Sequence, residues 1–466
     1  MFIPFIFKYY VFLHHYYTND MKSRDTFTGK IGIVLAAVGS AVGLGNIWRF
    51  PYEAGQNGGG AFILIYLVCV LALGFPLVMA EFAVGYKAKA NVVGSFKALA
   101  PNTPWYMVGL MGVLAGFLIM GFYYVVTGWT AEYFWQAVQG NLLHLSSEEY
   151  KIMFNSFIAH PVRPLVWTLI MIVLVHVVII NGIKNGIEKA SKILMPTLFV
   201  LMLVLAIHSL LLPNAMEGVR FMFEPKFENI TSEGVLTALG QAFFSLSLGM
   251  GCLITYASYF GKGINIPRIA FQVSLLDTMV AVIAGLVIFP AVFSFGMQPD
   301  EGTGLVFVML PTIFEQMPFP IFWSSLFYLL LALAAFTSVI SLHEVVTSYV
   351  CEEFSLSRKQ AVSIVSGAVL VLAVLASLSL GASIQPIFGK SVFEWLDYIS
   401  ATILLPLGGV AVSIFVGWYL DKRILLDVLE QEGQFKFRFF KTYIFVLRYI
   451  APVCILIVFL HNLFLA

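Results

Sequence analysis

Apolar residues run along this chain in long blocks rather than alternating singly with polar ones, and charged or Pro/Gly-marked breaks separate the blocks. A helix that crosses hydrocarbon needs about 20 predominantly apolar residues, because each backbone N–H and C=O must find its partner inside that helix. By this measure the blocks predict spans at Ile31–Gln56, Ala61–Tyr86, Trp105–Trp135, Leu165–Asn181, Ile193–Leu212 and Val235–Phe260. Further spans are predicted at Ile269–Met297, Ile321–Val350, Ala361–Leu380, Val392–Trp418 and Tyr443–Phe464, about eleven in all. The even alternation of a membrane β-barrel is absent, so the expected class is an all-α integral membrane protein. Composition agrees: 60% of the residues are hydrophobic and 11% charged, against roughly 45–50% and about 25% in soluble domains.

Lys and Arg favour alternate connections. One set holds Lys22, Arg24 and Lys30; Lys87, Lys89 and Lys97; Lys184, Lys189 and Lys192; Lys262 and Arg268; Arg358 and Lys359; and Lys422, Arg423, Lys436, Arg438 and Lys441. The opposite set holds Lys151, Arg163, Arg220, Lys226 and Lys390. Positive residues stay on the cytoplasmic side, so a multi-pass protein of the plasma (inner) membrane with a cytoplasmic N-terminus is expected. Residues 1–20 are aromatic and apolar but lack a cleavage-site pattern, so Met21 is the expected natural start and the preceding segment is peripheral. A net charge of +1 gives no basis for a nucleic-acid partner. Cys69, Cys252, Cys351 and Cys454 lack metal spacing and are expected to be buried thiols.

Two spans contain glycine-rich interruptions where continuous helix would be the default: Gly39-Ser-Ala-Val-Gly-Leu-Gly-Asn46 in the first and Ser245-Leu-Ser-Leu-Gly-Met-Gly251 in the sixth. Gly costs about 1 kcal/mol in a helix relative to Ala, and non-helical backbone at that depth persists only where protein buries it or it lines a cavity. Matched interruptions in two five-helix halves point to the binding site of an inverted-repeat transporter. Half-helix N-termini there favour a substrate carboxylate, and freed carbonyls favour a small cation. Asn46, Ser245 and Ser247 add hard oxygen ligands.

These residues carry a resemblance. The stretch Gly39-Ser-Ala-Val-Gly-Leu-Gly-Asn-Ile-Trp-Arg-Phe-Pro-Tyr52 with Asn57-Gly-Gly-Gly-Ala-Phe62, supported by Gly240–Gly249, Ile254–Tyr259 and Met195–Phe199, resembles the neurotransmitter:sodium symporters. The match is to their bacterial amino-acid branch and runs from Arg24 onward. It implies a LeuT-like fold of two inverted five-helix repeats with broken first and sixth helices. Repeat one would span about 31–212 and repeat two about 235–418, with an extra helix at about 443–464 and a cytoplasmic extension at 1–23.

The resemblance also implies roles. Two sodium ions are expected. One would be held by Ala41, Asn46 and Ser245 with the substrate carboxylate, and the other by Gly39, Val42, Ala334, Thr337 and Ser338. Substrate would meet Leu44, Gly45 and Tyr124 through its carboxylate and Ala41, Phe244 and Ser247 through its amino group. Ser40, Met120, Phe244, Met250, Ser338 and Leu342 would line a mostly apolar side-chain pocket, suiting a hydrophobic or aromatic amino acid. Monoamine members carry an acidic residue where Gly43 stands. Arg49 and Asp397 would form the outer gate under a Phe244 lid, and Arg24, Tyr259, Glu344 and Glu352 the inner one. Phe27 departs from the usual Trp, and Glu352 from the usual Asp. Asp277 falls within one residue of a sodium-ligand position and about one turn from the position that replaces chloride. It would supply negative charge beside Tyr66, Gln241 and Ser245 and make transport chloride-independent.

The expected function is therefore sodium-coupled uptake of a small amino acid by alternating access, with a substrate-binding sensor or an ion channel on the same fold as alternatives. An enzyme is not expected. His343-Glu344 lacks the second histidine of a zinc motif, and neither a nucleophile constellation nor a phosphate loop occurs. Oligomeric state is open.

Overall fold

A computed structural model describes residues 25–297, 304–381, 383–431 and 433–464. The expectations for residues 1–20 and for Arg24 lie outside the described residues. Nine helices there are long and apolar enough to cross a bilayer: Gly60–Ala88, Tyr106–Val138, Arg163–Ile180, Ile183–Leu210, Ile266–Ser294, Pro320–Glu353, Arg358–Leu378, Val392–Tyr419 and Phe440–Phe464. Lys30–Ala41 and Gly45–Gln56, bent by 57°, form the first span. Ser232–Ser245 and Cys252–Ser258 form the two short halves of the sixth. With these two broken spans the order is the expected eleven, and no strand occurs among the described residues.

Burial sorts the spans. The seventh and eighth have 67% and 72% of their apolar windows inside the protein, while the fourth and fifth have 33% each. The former are core struts and the latter face lipid. The third span, Tyr106–Val138, packs along the eighth, and the broken-span halves Lys30–Ala41 and Cys252–Ser258 also lie against the eighth.

Both interruptions occur as expected, and several of their freed backbone groups find partners, as hydrocarbon requires. In the first span, Val42 is extended (φ −68°, ψ 119°). The Val42 carbonyl accepts from the Ser338 hydroxyl at 3.0 Å, the Gly45 carbonyl from Gln241 Nε2 at 2.8 Å, and Gly43 N donates to Asn46 Oδ1 at 3.1 Å. In the sixth, Ser247, Gly249 and Gly251 take φ of 54°, 81° and 76°, a region where glycine is at ease and other residues are strained. Gly249 N donates to Glu81 Oε1 at 2.8 Å. Glycine is also required by space there, since a Cβ on Gly249 would sit 2.5 Å from the Leu405 carbonyl oxygen.

One boundary differs clearly. The fifth span begins at Ile183, ten residues before the expected Ile193. Lys184, Lys189 and Lys192 read as a connection in the sequence, yet the helix runs through all three, and the Glu188 carboxylate among them is buried and accepts from Thr28 N at 2.9 Å and Lys192 Nζ at 2.6 Å. Pairing and hydrogen bonding offset the cost of burying such a charge.

Candidate functional site

The breaks bring together the polar atoms singled out in the sequence. Asn46 Nδ2 donates to Asp277 Oδ1 at 2.8 Å and to the Asp277 carbonyl at 3.2 Å. Ser245 donates its hydroxyl hydrogen to Asp277 Oδ2, and Tyr66 Oη lies 3.0 Å from Ser245 Oγ. Asp277 is fully buried. An acidic oxygen cluster therefore spans the first, second, sixth and seventh helices, as anticipated for Asp277 with Tyr66 and Ser245. Gln241 stands beside it on Gly45.

A second cluster joins the first and eighth spans. Ser338 Oγ donates to the Val42 carbonyl, and Thr337 Oγ1 to the Ala334 carbonyl at 3.0 Å. Gly39 packs opposite Thr337, whose Cβ would be 3.7 Å from a Cβ at that glycine. All five residues expected in the second ion site thus converge.

Between the clusters lies a cavity of about 50 Å³ lined by Ser40, Ala41, Gly45, Ile119, Tyr123, Phe244, Ser245, Ser247, Met250, Ser338 and Leu342, among others. Above it is a larger cavity of about 480 Å³ bordered by Leu44, Arg49, Glu53, Tyr123, Phe244 and Asp397. The Phe244 ring lines both cavities. Ser247 Oγ, on the wall of the small cavity, donates to the Ser40 carbonyl at 3.1 Å.

Two expectations on the third span are corrected by one residue. Tyr123 faces the cavities and its hydroxyl accepts from Leu44 N at 3.1 Å, whereas the buried Tyr124 hydroxyl has no hydrogen-bond partner among the described residues. Ile119 lines the small cavity, whereas Met120 is buried outside it. Adjacent helical residues point about 100° apart, so an error of one position turns a side chain from the cavity to the packing behind it.

The gate residues divide between the two ends. Arg49 and Asp397 share the large cavity, but the Arg49 ion pair is with Glu53 at 3.3 Å and its guanidinium lies 4.7 Å over the Phe244 ring. At the other end Tyr259 Oη donates to Glu344 Oε1 at 2.7 Å, and Arg358 Nη2 reaches Glu344 Oε2 at 2.6 Å. Arg358, at the start of the ninth span, is a partner that sequence reasoning missed, having read it with Lys359 only as a connection charge. Glu352 Oε2 accepts from Asn91 N at 2.7 Å, and Glu353 pairs with Lys97. Glu81 and Cys252 were also missed. The first holds the unwound sixth span and the second lines the small cavity.

Comparison with known proteins gives concordant matches. The model of the sodium:neurotransmitter symporter family matches residues 24–156 and 149–465. The chain is similar to the uncharacterized sodium-dependent transporter YhdH of Bacillus subtilis, with 41% identity over 437 residues, covering 93% of this chain and 97% of the relative. An uncharacterized sodium-dependent transporter of Haemophilus influenzae is 33% identical over 472 residues, covering 96% and 100%. Among solved structures, MhsT in complex with L-phenylalanine matches with a TM-score of 0.86 and 43% identity, covering 94% of this chain and 100% of that one.

Proposed function

Because this chain belongs to the sodium:neurotransmitter symporter family and is a sodium-dependent symporter rather than an enzyme, we propose that it imports a hydrophobic or aromatic amino acid by alternating access, without chloride. The observation that carries this reading is the small cavity under Phe244, where two broken helices turn freed backbone toward a mostly apolar wall.

In this proposal the substrate carboxylate meets Leu44 N, Gly45 N and the Tyr123 hydroxyl, with the amino group near the Ala41, Phe244 and Ser247 carbonyls. One sodium ion sits with Ala41, Asn46 and Ser245 beside Asp277, and the other among Gly39, Val42, Ala334, Thr337 and Ser338. All-oxygen shells suit a hard cation. The carboxylate of Asp277 supplies the charge for which related symporters need an anion. Arg49 swings from Glu53 to Asp397 to close the outer end over Phe244. Repeat one covers about 31–212 and repeat two about 235–418, with the N-terminus cytoplasmic in the plasma membrane.

Two observations support an amino acid over a monoamine and an aromatic over a small polar one. A Cβ at Gly43 would lie 2.4 Å from Ser338 Oγ and 3.0 Å from Tyr123 Oη, leaving no room for an acidic side chain. MhsT, at 43% identity, binds L-phenylalanine. The test is uptake of labelled amino acids into proteoliposomes under sodium, potassium or proton gradients, with chloride or gluconate as anion. Saturable sodium-driven phenylalanine uptake indifferent to chloride is expected. Sodium-dependent binding without uptake would favour a sensor, and current without saturable uptake a channel.

A further inference from the structure

Between the tenth and eleventh spans the chain first forms a helix, Lys422–Glu430, which buries Leu425, Val428 and Leu429 against the second span. It then reads Phe435-Lys-Phe-Arg-Phe-Phe-Lys441, aromatic and basic residues in alternation. The backbone fixes which way each set faces. Phe435 N donates to the Glu430 carbonyl and Phe437 N to Glu430 Oε1, both at 2.9 Å, and the Phe437 ring packs 5.8 Å from Tyr443. Phe435 and Phe437 are thereby half-buried, and Lys436, Arg438 and Lys441 are exposed.

None of these three cations is in an ion pair among the described residues. That sets them apart from Lys97, Arg163, Lys192 and Arg358, which have Glu353, Glu132, Glu188 and Glu344 as partners. The Glu430 carboxylate is occupied by backbone.

Next to the cations is an aromatic surface that no described residue covers. Phe439, Trp418, Phe445 and Tyr449 are 72%, 53%, 54% and 48% exposed. Trp418 and Phe445 each lie 5.4 Å from Tyr449, and the Arg448 guanidinium caps Trp418 at 5.0 Å. Aromatic rings of this kind sit at the membrane–water boundary.

We propose that this surface binds an anionic phospholipid, its phosphate held by Lys436, Arg438 and Lys441 and its acyl chains lying along Trp418, Phe445 and Tyr449. Charge decides the occupant. A second copy of the chain, docking through the same patch, would bring two unpaired cationic strips together, whereas an anionic lipid satisfies cations and rings at once. Each Lys or Arg near an anionic surface contributes about fivefold in affinity, so the three together contribute up to about 100-fold.

The test uses the purified full chain in neutral detergent, with adducts of dioctanoyl-phosphatidylglycerol or dioctanoyl-phosphatidylcholine counted by native mass spectrometry. The glycerol lipid should bind at least about tenfold tighter, and a variant with Lys436→Gln, Arg438→Gln and Lys441→Gln should lose that preference while keeping its melting temperature. Phe445→Ala with Tyr449→Ala should weaken both lipids equally. Equal binding of the two lipids by the parent chain would overturn the proposal. So would a preference that survives in the triple variant, or a Tyr449→Cys dimer that forms by cross-linking and excludes lipid.

Discussion

Replacing Asp277 with Asn changes charge and leaves shape almost untouched, which isolates the electrostatic part of the proposed sodium site. In the structure one carboxylate oxygen accepts from Asn46 Nδ2 at 2.8 Å and the other from the Ser245 hydroxyl. An Asn side chain can keep its oxygen toward Asn46 and turn its NH2 toward Ser245, whose hydroxyl can rotate to accept. The fold should therefore survive, with little change in melting temperature. Ion affinity should not. At a separation of about 4 Å and an effective dielectric of about 20, a carboxylate and a monovalent cation attract by about 4 kcal/mol. The remaining amide dipole recovers part of this, leaving a loss of about 2–3 kcal/mol, or roughly 30- to 150-fold in sodium affinity. The assay is a sodium titration of labelled-phenylalanine binding to parent and Asp277→Asn proteins, in chloride and in gluconate. Half-saturation should move to much higher sodium in the variant, and chloride should restore part of the loss. Sodium dependence within threefold of the parent would refute the electrostatic role, and so would complete chloride dependence of the parent.

The third-span register gives a paired prediction: Tyr123→Phe, which removes a hydroxyl bonded to Leu44 N, should weaken substrate binding about tenfold, an effect of about 1.4 kcal/mol. Tyr124→Phe removes a hydroxyl with no partner among the described residues and should leave binding unchanged; the reverse order in a binding isotherm would reject the assignment. Gly249→Ala places a Cβ 2.5 Å from the Leu405 carbonyl at φ 81°, so it should lower stability by about 2 kcal/mol or more. An unchanged melting temperature in detergent would show that the contact with the tenth span is not tight. Arg358→Met strands the fully buried Glu344 carboxylate and should cost about 3 kcal/mol or more. Adding Glu344→Gln should recover most of that in the same melting assay, and a double variant no better than the single would contradict the ion-pair reading.

How far the sequence could be read depended on whether a feature's cause was local. Both helix breaks follow from Gly and Ser clusters within eight residues, and the structure has them where they were expected. The misplaced start of the fifth span has the opposite origin: the Glu188 carboxylate within the added turns is hydrogen-bonded by Thr28, 160 residues away, and spacing alone cannot reveal that. Tyr123 and Tyr124 are chemically identical neighbours on a helix that is apolar all round, so no amphipathic stripe marks the inward face. Arg358 and Glu344 meet only because the eighth and ninth spans turn back on each other within 14 residues. The oxygen cluster of Asn46, Ser245 and Asp277 was legible as residue types, but its bonding partners depend on the crossing of three spans.

The distribution of bonds around the cavity bears on how the proposed cycle is driven. At the end carrying Tyr259 the sixth span is tied to the eighth by Tyr256 Oη at 3.0 Å from Ser341 Oγ and by Tyr259 Oη on Glu344. Phe27 N adds a bond to the Tyr259 carbonyl at 3.1 Å. At the other end Arg49 and Asp397 border a 480 Å³ cavity and Arg49 pairs with Glu53 instead. The closed end therefore depends on hydrogen bonds that converge on the short second half of the sixth span, just beyond Ser247, Gly249 and Gly251 with their positive φ. Opening that end requires the half-helix to pivot there and to give up those bonds together. A sodium ion between Val42 and Ser338 would strengthen the neighbouring tie between the first and eighth spans, where Ser338 Oγ donates to the Val42 carbonyl at 3.0 Å. Its departure would weaken the tie on the side that must open, giving the ion gradient a direct mechanical purchase on the direction of transport.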